Sequence, residues 1–261
     1  MQTRERHLLG KNSALRYAPV ASSHHLPLRE AALLLGYHLR LLNWWLSVLT
    51  LFGFLAAGLL TWLQLHLGGA QGENLALDLA RFVLESTTGL CAGMQASSLV
   101  VGDPSLEVTM ATRSGVYHVV SWRAALTFVL LLVSSAAYLG WSLASGINYA
   151  SQQSLLALLL FWLAPVLLMG ALGLFSALTT GNAALGTLIA ALPLAGAHFF
   201  HGYLLPIAGV HPFFLPYTSW NAGASDWWTN RLSLLLIALV LAICSWWWLR
   251  CEERLLDDAR S

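Results

Sequence analysis

Apolar positions along this chain gather into six long runs, near 44–66, 79–101, 124–146, 153–178, 184–205 and 231–249, separated by polar or proline-rich stretches. A bilayer's hydrocarbon core is about 30 Å thick, so about 20 mostly apolar residues cross it as a helix with every backbone amide satisfied internally. The pattern predicts an all-α polytopic membrane protein with six transmembrane helices, the second being the least apolar. The expected organisation is an N-terminal tail over 1–25, a six-span domain over 26–249 and a C-terminal tail over 250–261.

The stretches between the runs are patterned too. In LPLREAALLLGYHLRLLNWW, Ala31, Leu34, Leu35, Leu41, Leu42 and Trp45 share one helical face while Arg29, Gly36, Arg40 and Asn43 share another. This predicts an amphipathic surface helix leading into span one. Between runs two and three, Gly102, Asp103 and Pro104 give a turn and a helix start, with Asp103 and Glu107 near the positive end of the helix dipole. Between runs five and six, Pro206, Gly209, Pro212, Pro216, Trp220, Trp227 and Trp228 predict broken helical pieces dipping into the outer leaflet.

Composition narrows the class. The chain is 57% hydrophobic and 10% charged, against about 25% charged in soluble domains, which excludes a water-soluble globular protein. A net charge of +1 and a single lysine, Lys11, leave no basic surface for nucleic acid. Arg4, Arg6, Lys11, Arg16, Arg29, Arg40, Arg113, Arg123, Arg250, Arg254 and Arg260 fall on one side of the six spans, and only Arg81 and Arg231 on the other. By the positive-inside rule both termini are expected in the cytoplasm, in a multi-pass protein of the plasma (inner) membrane. No short apolar stretch with a small-residue cleavage site precedes the first run, so a cleaved signal peptide is not expected.

Six spans with both ends inside, a surface helix before span one, a cytoplasmic helix after span two and a broken segment before span six resemble the permease subunit of type-2 ATP-binding-cassette (ABC) exporters. The resemblance implies that Asp103, Leu106, Glu107, Val108, Met110, Thr112 and Arg113 form a coupling helix seated in a separate ABC ATPase subunit, with Trp122 and Arg123 at the start of span three. It also implies a permease homodimer or heterodimer in the lipid bilayer that moves a hydrophobic or amphipathic substrate outward. ATP and Mg would be held by the partner subunit. This chain has no GxxxxGK[ST] loop, and Asn12 follows its only lysine where a hydroxyl residue would hold magnesium.

Candidate chemistry is sparse. Arg81 and Glu85, four apart in span two, continue into Gly89, Gly93 and Ser97, a stripe of small residues including GLCAG. An intramembrane charge is costly, so Glu85 is expected to be paired, protonated or facing a wet cavity. Two readings stand: Arg81, Glu85, Gly89 and Gly93 line the translocation path or an interface between permease copies, or they form an ion pair plus close helix packing. His198 and His201 in HFFH are weak candidates for metal or haem, near His211 and Asp226, while interfacial histidines are the blander reading. Cys91, Cys244 and Cys251 lack CxxC spacing, HExxH is absent, and GWSLASG departs from GxSxG. No catalytic role is expected in this chain. Two alternatives remain: a haem- or metal-handling membrane protein or enzyme using His198 and His201, and a secondary carrier with Glu85 as its ion site.

Overall fold

The computed structural model describes residues 44–99, 115–149, 154–221 and 223–250, all within one compact unit. Residues 26–43 of the expected surface helix, the coupling segment Asp103 to Arg113, the tail 1–25 and residues 251–261 lie outside the described residues, while Trp44 and Trp45 open the first described helix. Among those residues the structure is helical, with no strand.

Helix α1 (Trp44–Leu67) is followed by a tight turn and α2 (Gly72–Phe82), a π turn over Val83–Thr87 and α3 (Thr88–Ser97). Then come α4 (Gly115–Ala144), α5 (Leu155–Thr180) and α6 (Ala183–Phe199). Two short helices, α7 (His201–Leu204) and α8 (Tyr217–Asn221), flank a 3-10 turn at Ala208–Phe213, and α9 (Trp227–Arg250) closes the order. Of these, α1, α4, α5 and α9 are long and apolar enough to cross a membrane. The expected second span, 79–101, falls on a run that the structure divides into α2, the π turn and α3, from Gly72 to Ser97, and it is not among these four. The expected fifth, 184–205, ends at Phe199 and is 17 residues long. The chain there turns into α7 because Phe200 leaves helical geometry (φ −109°, ψ 15°).

Helix α5 is the centre of the packing. Half of its apolar window is buried, against 17–28% for the other three candidate spans. It packs on α3, α6 and α9, burying Phe161, Val166 and Met169 completely. Ser154 caps its first turn through Ala157 N at 3.1 Å, and Gly181 ends it in the left-handed region (φ +61°), where a glycine pays no Cβ penalty. Asn182 then caps α6 through the amides of Ala184 and Leu185, so two residues reverse the chain. Helices α3 and α5 meet at Gly93 and Gly173, where a Cβ on Gly173 would lie 2.2 Å from the Gly93 carbonyl oxygen. By contrast α1 turns Trp45, Leu49, Phe52, Leu55 and Leu59 outward, the surface a bilayer covers.

Candidate functional site: the buried Glu85–Arg231 centre

The composite helix containing Glu85 is irregular where it matters. In the π turn the Thr88 hydroxyl donates to the Val83 carbonyl, five residues back, at 2.9 Å. The extra residue turns both Glu85 and Ser86 inward, each about 1% exposed. π turns inside α-helices recur at functional sites.

Glu85 receives donors from across the chain. The Thr218 amide donates to Oε1 at 2.9 Å; the Ser219 amide and hydroxyl donate to Oε2 at 2.8 and 2.6 Å. Arg231 Nη2 donates to Oε1 and also to Thr218 Oγ1, and both charged side chains are fully buried. Trp227 adds its indole N–H to Thr218 Oγ1 at 2.9 Å and lies with its ring 5.4 Å from the Arg231 guanidinium carbon. Asn230 donates to the carbonyls of His211 (2.6 Å) and Phe214 (2.9 Å). The first turn of α9 thereby clamps the broken segment between α6 and α9 onto α2 and the π turn. Removing one partner of such a buried pair costs about 3–5 kcal/mol, because the other charge is left uncompensated in low dielectric.

A second polar cluster sits in the same segment. His211 Nδ1 lies 2.6 Å from Asp226 Oδ2 and Nε2 lies 2.7 Å from the Leu205 carbonyl, so both ring nitrogens face acceptors and the imidazolium satisfies both. Tyr217 donates to Asp226 Oδ1 at 2.5 Å. The Leu205 carbonyl and then Asp226 push the His211 pKa up, and the Tyr217 hydroxyl followed by His211 holds the Asp226 carboxyl low. Burial, then the neighbouring carboxylate, pushes the Tyr217 phenol up to about 12.

The histidines of HFFH are engaged separately. His198 Nε2 is 3.1 Å from Ser86 Oγ, and the His201 ring stacks on Trp220 with centroids 3.9 Å apart. Among the described residues no three His, Cys, Asp or Glu side chains gather as a metal site.

Of the sequence candidates, Arg81 lies 4.0 Å from Asp78, and Glu85 finds its cation 146 residues on, beyond what i,i+4 spacing anticipates. Gly89 and Gly93 make the close helix packing that one of the two readings expects. Both are buried within the chain, where a Cβ on Gly89 would meet Met169 at 3.2 Å and one on Gly93 would meet Ala190 at 3.1 Å. Within the chain these small residues make close contacts with α5 and α6. Sequence reasoning missed Arg231, Thr218, Ser219 and Asn230 as partners. The available signal was a charge opening a long apolar run, which demands a counter-charge. Comparison with known protein families, with characterised proteins and with solved structures finds no match to this chain.

Proposed function

We propose that this chain is the membrane-spanning permease subunit of an ABC exporter, moving a hydrophobic or amphipathic substrate outward with ATP hydrolysed by a separate subunit. The observation that carries the reading is the broken segment His201 to Asp226, built from two short helices and a 3-10 turn and clamped to the second apolar run through Glu85 and Arg231. Together with the four long apolar helices, it supports the order of elements on which the resemblance rests. In this reading α2 to α3 and α6 with α7 complete six spans, both termini are cytoplasmic, and the permease works as a homodimer or heterodimer.

The two alternatives find less support. Glu85 already accepts four hydrogen bonds, which occupy the lone-pair directions an ion would need. His198 and His201 bond to Ser86 and stack on Trp220, with no third ligating side chain beside them among the described residues.

The test lies in the coupling segment. Leu106 and Met110 are four apart and would be the buried anchors in the ATPase groove, with Asp103, Glu107 and Arg113 at its rim. Loss of a central anchor typically costs about 2 kcal/mol or more, roughly a thirtyfold loss of affinity. Leu106→Asp or Met110→Asp is expected to release the ATPase from the purified, correctly inserted permease, and Glu107→Gln to have a milder effect. Normal co-purification and transport by both aspartate variants would overturn the reading.

A further inference from the structure

Helices α1 and α4 diverge to leave a trough of about 490 Å³, lined by Leu51, Leu55, Leu59, Trp62, Tyr138 and Trp141 among others. At its end nearer the start of α1 it runs into a smaller cleft of about 120 Å³, the two sharing Leu51 and Ser134. The cleft is different in kind, because Ser47, Thr50, Gln95 and Ser134 line it.

Thr50, Gln95 and Ser134 present acceptors to it. The Thr50 hydroxyl proton goes to the Leu46 carbonyl at 2.7 Å, so Thr50 Oγ1 can only accept from Gln95, which fixes the contacting atom at 2.7 Å as the amide Nε2. Gln95 Oε1 then points elsewhere and has no donor among the described residues, although Gln95 is 95% buried. The Ser134 hydroxyl likewise gives its proton to the Leu130 carbonyl at 2.8 Å, leaving its lone pairs free. A buried acceptor without a donor costs about 1–3 kcal/mol, so this cleft favours a molecule that brings one.

We propose that the α1/α4 trough binds a neutral lipid-like amphiphile, a long acyl chain ending in a hydroxyl-bearing head that donates to Gln95 Oε1. Cleft and trough together run from Ser47 to Trp62, about 22 Å along α1, the reach of a long extended chain. The lining includes no charged side chain to compensate a buried anion, and the orphaned Gln95 Oε1 requires a donor, so phosphate and carboxylate heads are disfavoured. The inference requires only a membrane-embedded chain and stands or falls independently of exporter function.

The full-length protein in phosphatidylcholine nanodiscs is labelled with a photoreactive monoacylglycerol and the adducts are mapped by mass spectrometry. Adducts are expected within 47–62 and 130–141, displaced by unlabelled monoolein but at least tenfold less well by methyl oleate, which lacks a donor, and by phosphatidylglycerol. Gln95→Met is expected to remove the preference for monoolein over the ester. Gly58→Leu, whose first added carbon meets only Trp141 at 3.9 Å and whose remainder projects into the trough, is expected to cut labelling at least tenfold in a folded protein. Equal competition by the methyl ester, adducts spread evenly over all outward helices, or wild-type labelling of Gly58→Leu would overturn the proposal. The ester and Gly58→Leu comparisons decide it even where Gln95→Met does not fold.

Discussion

Arg231 donates to the carboxylate of Glu85 across 146 residues of sequence, and solvent reaches neither side chain. The pair fastens the start of the last apolar helix to a π turn in the second apolar run, with the short helix α8 held between them by its own amides. Two distant segments thus depend on one buried contact. Glu85→Ala or Arg231→Ala should each destabilise the protein by about 3–5 kcal/mol, since each leaves a buried charge alone. Replacing both at once, Glu85→Gln with Arg231→Met, should recover a substantial part of that loss. Thermal stability followed by size-exclusion chromatography in detergent checks this, and a double variant no more stable than the worse single one would refute it.

His211 and Asp226 give the segment between α6 and α9 a pH dependence whose sign is fixed by their shifts. The His211 pKa is raised above its ordinary 6.5, so its contribution is complete below about 6.5 and is lost as pH rises through the raised folded value. Asp226 is lowered from 3.8, so its contribution is present above that value and is lost only as pH falls through the depressed one. The clasp should therefore hold in mildly acid buffer and loosen in alkaline buffer. Limited proteolysis between 205 and 216 should increase from pH 6 to pH 9 in the wild type and be high and flat in His211→Gln. Identical cleavage at both pH values in the wild type would exclude the clasp.

The helical, membrane-embedded class was legible because run length alone decides it: α1, α4, α5 and α9 each coincide with an apolar run in the sequence. The start of α9 at Trp227, four residues before the apolar run, was not legible, since Thr229 and Asn230 are polar and Asn230 is held by partners elsewhere, the carbonyls of His211 and Phe214. The π turn escaped for a related reason. No local composition marks Val83–Thr87, and its register is fixed by the long-range contacts of Glu85 and by the Ser86 contact with His198. The glycines of GLCAG were recognised as packing residues, but spacing cannot say which helix they meet. They meet α5 through Met169 and Gly173, and α6 through Ala190.

The Gly93–Gly173 crossing gives a sharp contrast between two glycines. A Cβ on Gly173 would fall 2.2 Å from a backbone oxygen, which cannot swing aside like a side chain, whereas one on Gly58 would meet Trp141 at an ordinary 3.9 Å. Gly173→Ala is expected to force α3 and α5 apart at a cost of about 1–3 kcal/mol. Gly58→Ala should be neutral or slightly stabilising because alanine favours the helix. Comparison of melting temperatures decides it, and equal behaviour of the two variants would count against this crossing.

Orientation rests on the division of basic residues, eleven on one side of the six expected spans and Arg81 with Arg231 on the other. Single cysteines at Asn12, Asn221 and Asp258, in a background without the native cysteines, should separate accordingly. A membrane-impermeant maleimide added to intact cells should label position 221, at the end of α8, and should reach positions 12 and 258 only after permeabilisation. A chain with only four spans also keeps its termini together, so the positions between helices carry the discrimination. A cysteine at Ser145, at the turn after α4, should be labelled from outside and one at Gly181, between α5 and α6, only from inside. Labelling of 181 and 221 from the same side would mean that α6 does not cross, and the six-span arrangement would give way to one in which its 17 residues turn back within the membrane.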